Sequence, residues 1–291
     1  MPKIRVDVVS DLHLEHYVST KEFLENIMVT PHKDSKTQGV LILAGDICQI
    51  NVLPKYRDFF DLMSSLYLRV IYVPGNHEFY QGVGVNTDID TAKKFFKSFS
   101  NIDFLANGDY VKVGEVAFVG ATLWTDVTHC LSARDATEIM KWPDFRFVKV
   151  EKSSGVPETQ TLESMATLHK KDLDALTVSL NLLDVPTVRS IVPITHFSPV
   201  SKVHLKHRLD PKSQFFTNGL ERYFMPGGVF SSPRIKHWVY GHTHCSMKFR
   251  YHSTQFHCNP AGYPSRRNGF MLENPDFMWH TSFEVHDGSA S

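Results

Sequence analysis

Apolar positions along this chain fall in short runs, and five of those runs stop at a polar residue able to bind a metal ion. Residues 4–9 run into Ser10, Asp11, Leu12 and His13, and residues 40–43 run into Ala44, Gly45 and Asp46. Residues 70–73 lead through Pro74 and Gly75 to Asn76, His77 and Glu78. Residues 191–194 lead through Thr195 to His196, and residues 238–240 lead through Gly241 to His242, Thr243 and His244. Short apolar runs bounded by Gly and Pro predict buried strands. Open α/β sheets bind ligands just beyond the carboxyl ends of their strands. These endings therefore predict a polar, cation-binding cleft at one sheet edge.

Helical periods separate the early runs. Residues 55–69 place Phe59, Leu62, Met63 and Leu66 at spacings of three and four, the period of an amphipathic helix. Residues 88–99 do the same with Ile89, Ala92, Phe96 and Phe99, with Asp88 as the expected N-cap. A β-α-β-α series predicts the α/β class. Val111 to Val113 and Val116 to Val119 flank Gly114-Glu115 as a tight hairpin, and 247–251 with 254–258 form a second around His252-Ser253.

Residues 128–156 carry an aromatic cluster at Trp142, Phe145 and Phe147 but no clear period. Residues 158–183 follow, with Leu162, Met165, Ala166, Leu173, Leu176, Leu180 and Leu183 on one helical stripe that stops before Pro186. That stripe reads as core packing. The expected organisation is a single domain over 1–291 with a helical insertion at about 128–186, ending in a frayed tail over 286–291.

Composition narrows the function classes. The chain has 291 residues, 42% of them hydrophobic, enough to bury a substantial core. Basic and acidic side chains balance at 31 each, so net charge gives no indication of a nucleic-acid partner. No run is long enough to span a bilayer and no leader-like pattern opens the chain. The expectation is a cytoplasmic protein with no membrane partner. Cys48, Cys130, Cys245 and Cys258 are scattered and include no CxxC pair, so they read as reduced thiols and not as a disulfide framework or thiolate metal site. Cys48 and Cys245, close to the run endings, read as small packing residues.

The chemistry lies in the run endings. Carboxylate and amide oxygens combined with imidazole nitrogens suit Mn, Fe, Co, Ni or Zn, with Mn favoured here. Asp11, His13, Asp46, Asn76, His196, His242 and His244 are too many ligands for one ion. One shared carboxylate would make two adjacent sites of four ligands each, with ions ~3.5–4 Å apart. Asp46 is the natural bridge, because it stands alone on its strand end while the others cluster. Two such ions would neutralise phosphoryl oxygens and aim a bridging hydroxide at phosphorus.

Asp11-x-His13, Gly45-Asp46, Gly75-Asn76-His77-Glu78, His196 and Gly241-His242-x-His244 resemble the five-block signature of the calcineurin-like metallophosphoesterases. The blocks stand in the family's order and span 11–244. The resemblance implies a four-layer α/β/β/α sandwich of two mixed sheets, with a dimetal site at the carboxyl ends of the strands. It implies that Asp11, His13, Asp46 and His244 hold one divalent ion and that Asp46, Asn76, His196 and His242 hold the other. His77 is then the residue that acts on substrate, as general acid or transition-state stabiliser. Glu78 is expected behind the ligands or at the surface.

The phosphoprotein phosphatase branch carries a second Asp and a phosphate-clamping Arg after the bridging Asp. Here Asp46 is followed by Ile47-Cys48-Gln49-Ile50-Asn51, with no Arg. The chain is more similar to the small bacterial and phage-type branch, to which Gly120 through Thr125 and Cys258 through Tyr263 also correspond. The implied activity is dimetal-dependent hydrolysis of a small phosphomonoester, phosphodiester or nucleotide. The alternatives are a nuclease or cyclic-nucleotide phosphodiesterase using the same centre, and a binding module that has lost catalysis. The complete ligand set speaks against the last. Phe79, Tyr80, Trp124 and Phe197 serve either to stack on a substrate ring or to pack, and the basic stretch 202–208 either to meet a phosphate or to stay solvated.

Overall fold

The computed structural model describes residues 3–27, 39–127, 132–151, 155–201, 215–267 and 269–286, leaving out the side chains of 133–135. Along the chain come β1 (Lys3–Val9), α1 (Thr20–Asn26), β2 (Gly39–Ala44), α2 (Arg57–Leu66), β3 (Arg69–Val73), α3 (Val85–Phe96) and β4 (Ile102–Phe104). The hairpin β5 (Asp109–Val113) and β6 (Val116–Ala121) follows. Next are α4 (Ala133–Ile139), α5 (Asp144–Phe147), the two-residue strands β7 (Lys149–Val150) and β8 (Glu158–Thr159), and the long α6 (Leu162–Leu183). The chain then forms β9 (Ser190–Thr195), β10 (His237–Tyr240), β11 (Met247–Tyr251), β12 (Thr254–Cys258), β13 (Pro264–Ser265), β14 (Met271–Leu272) and β15 (Ser282–His286).

Two mixed sheets result. The first has five strands in the order β15-β1-β2-β3-β4, and the second six in the order β11-β12-β10-β9-β6-β5. Strands β1 to β4 run parallel and β15 closes that sheet antiparallel. In the second sheet β6, β9, β10 and β12 are parallel, while β5 and β11 add antiparallel edges. The site-bearing strands are therefore divided, three in one sheet and two in the other, so the cleft joins two sheet edges instead of lying along one.

Side-chain alternation explains the layering. Val6, Val8, Val40, Ile42 and Ile71 of the first sheet meet Phe118, Val192, Ile194 and Val239 of the second in one buried layer. The opposite face of the first sheet, with Leu41, Leu43, Val70 and Tyr72, packs on Phe59, Phe60, Met63, Ile89 and Phe96 of α2 and α3. The opposite face of the second, with Ala117, Val119, Ile191 and Trp238, packs on Leu176, Leu180 and Leu183 of α6. The outcome is a four-layer α/β/β/α sandwich. Among the described residues no helix is long and apolar enough to cross a membrane.

Three local expectations are corrected. Helix α3 starts at Val85 after the N-cap Gly84, so Asp88 lies inside its first turn. Its carboxylate still accepts from the Val83 and Gly84 amides at 3.2 and 3.3 Å, satisfying donors that a helix start leaves free. His286 is not part of a tail: it pairs with Lys3 as the last residue of β15, a strand with no strong sequence signal. Helix α6 begins at Leu162, where Thr161 and Ser164 form a reciprocal capping box. The basic stretch at 202–208 lies outside the described residues.

Candidate metal centre

Three of the five run endings, after β1, β2 and β10, turn sharply off their strands. Asp11, His13, Asp46, His242 and His244 all have positive φ, at 54°, 46°, 55°, 67° and 48°. That left-handed conformation is unusual for residues with a Cβ, though Asp and His tolerate it better than most. The turns aim successive side chains back over the sandwich end. Tight contact leaves no room between them: a Cβ on Gly45 would run into the His196 imidazole, and one on Gly75 into the Asp46 carboxylate. Glycine is needed at both positions.

Main-chain hydrogen bonds then tie the loops to one another. Asp11 donates to Gly45 and His13 to Asp46, at 2.9 and 3.0 Å, and Gly241 donates to the His196 carbonyl at 2.9 Å. The His242 amide donates to both Asp11 carboxylate oxygens at 3.1 Å. The His77 amide donates to Asp46 Oδ1 at 2.9 Å. Glu78, far from being a surface residue, is fully buried. Its carboxylate accepts from the Asp46, Ile47 and Gly75 amides at 2.9, 2.8 and 2.7 Å and from the Tyr72 hydroxyl at 2.6 Å. One side chain thus fixes the loops after β2 and β3.

Four ring orientations are legible. His196 Nδ1 donates to the Ala44 carbonyl at 2.9 Å, which turns Nε2 inward, 3.1 Å from Asn76 Oδ1 and 3.3 Å from Asp46 Oδ1. His244 Nδ1 donates to Glu273 at 2.7 Å, leaving Nε2 3.3 Å from both Asp11 Oδ1 and His13 Nε2. Glu15 faces Nδ1 of His13 at 3.3 Å and Nδ1 of His77 at 3.5 Å. A carboxylate or carbonyl behind an imidazole is the usual support for a metal-binding ring.

Donor atoms of Asp11, His13 and His244 lie within 4.8 Å of one another, and so do those of Asp46, His196 and His242. Two further groups meet the same limit, His13 with Asp46 and His77, and His13 with Glu15 and His16. The spacing fits metal binding. Ligands ~2.0–2.1 Å from one ion stand roughly 3.0–3.4 Å apart, and the inward-facing pairs above are at 3.1–3.3 Å. His242 Nε2 is buried with no hydrogen-bond partner among the described residues, as a ligand nitrogen would be. All seven residues named from the strand endings are brought together: Asn76 joins the second group through His196 Nε2, and Asp46 of that group lies 4.0 Å from His13 Nε2 of the first.

The electrostatics divide the rings of His13, His196, His242 and His244 into two that hold protons and two that do not. Burial would raise the Asp46 carboxyl, yet the His196 and His77 rings hold it well below the usual range. Asp11 is lowered despite its burial, through His244 and His196. Burial would likewise lower His196 and His244, but Asp46 raises the first to about 9, and Asp11 with Glu273 raises the second to about 10. Burial pushes His13 down and His242 well down, so both offer neutral nitrogens.

The supporting residues left little trace in the sequence. Glu15 follows His13 by two positions, whereas Glu273 is 29 residues beyond His244 with no motif to mark it. The crossover between β6 and β9 reaches the site twice. The Tyr80 hydroxyl donates to Asp144 Oδ2 at 2.8 Å and accepts from Asn76 Nδ2 at 3.2 Å, which sets the Asn76 amide with its oxygen toward His196. From α6, Asp172 accepts from the Leu123 amide at 2.8 Å, bracing the loop whose Thr122 carbonyl accepts from the His196 amide at 3.2 Å. Phe79, Trp124 and Phe197 are buried and pack; Tyr80 stacks on the His77 ring at 4.1 Å.

A family model described as calcineurin-like phosphoesterase matches residues 4–246. Uncharacterized protein L509 of Acanthamoeba polyphaga mimivirus is 28% identical over 277 residues, covering 90% of this chain and 92% of its own. The phosphopantetheinyl hydrolase of Mycobacterium tuberculosis superposes with a TM-score of 0.61 at 18% identity, over 95% of this chain and 98% of its own. That likeness supports the fold.

Ions held one by His196 and the other by His244 would have to displace their protons. Metal affinity should therefore rise from pH 7 toward pH 9–10, and at pH 7 loading should release roughly two protons, read as a buffer-dependent binding enthalpy in calorimetry. A buffer-independent enthalpy would contradict it. Tyr80→Phe frees the Asn76 amide to flip. It should weaken the second ion by about tenfold or more and leave the first unchanged in the same titration.

Proposed function

The chain belongs to the calcineurin-like phosphoesterase family, and we propose that it is a two-metal hydrolase of small phosphoesters in which Asp46 is shared between the ions. In this reading Asp11, His13, Asp46 and His244 hold one ion, and Asp46, Asn76, His196 and His242 hold the other. The observation that carries it is that Asp46 groups with His196 and His242 and also with His13 and His77, next to the group of Asp11, His13 and His244, with His242 Nε2 buried and unpartnered among the described residues. The mixed oxygen and nitrogen donors suit Mn, Fe, Co, Ni or Zn, and we favour Mn. Divalent ions so placed supply Lewis acidity, lowering the pKa of a water and neutralising phosphoryl oxygens. Residues 1–291 act as one domain, with 128–186 as a helical insertion that supports Asn76 and His196 from behind.

His77 stands apart in its role. Its Nε2 lies 4.0 Å from Asp46 Oδ2 while Nδ1 faces Glu15, so the proton-carrying edge points into the cleft. Burial would lower its pKa, but Asp46 and Glu15 raise it above the ordinary imidazole value. Those two carboxylates favour a proton on the ring. That proton passes from Nε2 to the oxygen leaving phosphorus, while Glu15 and the stacked Tyr80 ring keep the imidazole in line.

The test is a metal-supplemented panel of aryl phosphate, bis-aryl phosphate, cyclic nucleotides and short oligonucleotides. Chelation should abolish hydrolysis and added Mn should restore it. His77→Ala should slow turnover by about 10²–10⁴-fold with the bound-metal count unchanged. Chelator-resistant turnover, or metal loss in His77→Ala, would refute the assignment.

A further inference from the structure

Tyr263 stands over the cleft in a position the metal-ligand pattern does not account for. Its ring stacks on His13 at 4.4 Å and 27°, and meets the His244 ring edge-on at 4.9 Å. Its hydroxyl lies 3.1 Å from His77 Nε2, the same imidazole edge that faces the cleft. The backbone beneath is stitched to the metal loop: the Ala261 and Gly262 amides donate to the Ser10 and Asp11 carbonyls, both at 3.0 Å. The Tyr263 amide faces Glu273 at 3.4 Å, the carboxylate that also orients His244. The ring is thus held on His13 by main chain on both sides, yet the residue keeps 38% of its surface open to solvent.

Two donors 3.1 Å apart can converge on one acceptor at ~2.7–3.0 Å from each. We propose that Tyr263 is a catalytic residue whose hydroxyl donates, together with His77 Nε2, to the oxygen that leaves phosphorus. The inference rests on the phosphoester reading above. A water oxygen forms the new P–O bond as the ester P–O bond breaks. The departing oxygen takes the His77 proton, the attacking water gives up a proton to solvent, and His77 is reprotonated from solvent. Tyr263 transfers nothing; its O–H stabilises negative charge building on the departing oxygen, and with no substrate bound the same hydroxyl rests against His77.

The test compares Tyr263→Phe with the unsubstituted protein, both loaded with Mn, on phosphate monoesters of graded leaving-group basicity from nitrophenyl to alkyl. Phenylalanine retains the stack on His13, so metal affinity by calorimetry should not change. The expected result is a fall in kcat of about 10²-fold for alkyl esters, as for loss of one donor to a developing oxyanion, and under about threefold for the nitrophenyl ester. Equal slowing of every ester, or a loss of metal affinity, would show that the ring merely packs and would overturn the inference while leaving the phosphoester reading intact. A diester series of the same leaving groups is run beside the monoesters; if the unsubstituted protein splits neither series nor any substrate of the panel above, that reading falls and the inference falls with it.

Discussion

Two carboxylates withdrawn from water at the meeting of two sheets impose the constraint on which the site depends. Asp11 and Asp46 are 0% and 2% exposed. An ionised group in such surroundings is strongly unfavourable unless its charge is compensated. Protein groups supply part of that compensation: backbone amides of His242 and His77, and the His196 and His244 imidazoles. The loops that provide these partners come from both sheets, so the charge can be balanced only when the sandwich closes and brings the second sheet's histidines over the first sheet's carboxylates. Divalent ions bound there would complete the compensation and displace the protons those rings hold.

Glu78 extends the same principle one layer down. It is buried, anchored by three amides and a tyrosine hydroxyl, and raised to about 7 by burial and by the Asp46 charge. A carboxyl so placed holds the loop geometry without competing for the ions. The left-handed backbone at Asp11, His13, Asp46, His242 and His244 is the local strain that this bracing sustains, of order 1 kcal/mol or more at each position.

Much of this was legible along the chain, for identifiable reasons. Parallel strands buried on both faces read as uninterrupted apolar runs, so β1, β2, β3, β9 and β10 announced themselves, and the ligands follow them directly. The division of those strands between two sheets could not be read from periodicity, because a run's length and polarity do not encode which neighbour it pairs with; that came through resemblance. The supporting residues were harder still. Glu273, just past β14, and Asp144, opening the one-turn α5, reach the site from far away in sequence, and an isolated acid there has the same local signature as a solvated one. Tyr263 belonged to a segment that drew attention without a role, since a hydroxyl's partner is a tertiary fact. Glu78 was visible beside His77, but its neighbours Asp46, Ile47 and Tyr72 converge on it only in three dimensions.

Membership of the phosphoesterase family and the geometry at the sandwich end lead to the same picture by separate routes. The family match spans the loops after strands of both sheets, and Asp46 groups with His196 and His242 on one side and with His13 and His77 on the other. The claim at the centre of the account is that this carboxylate is shared. Counting tightly bound ions per chain, by elemental analysis of Mn-loaded protein, tests it directly in Asp46→Asn beside the unsubstituted protein. Two ions in the unsubstituted protein and a loss of tight binding at both sites in the variant are the predicted result. A variant that keeps one site at full affinity while losing the other would contradict the bridge.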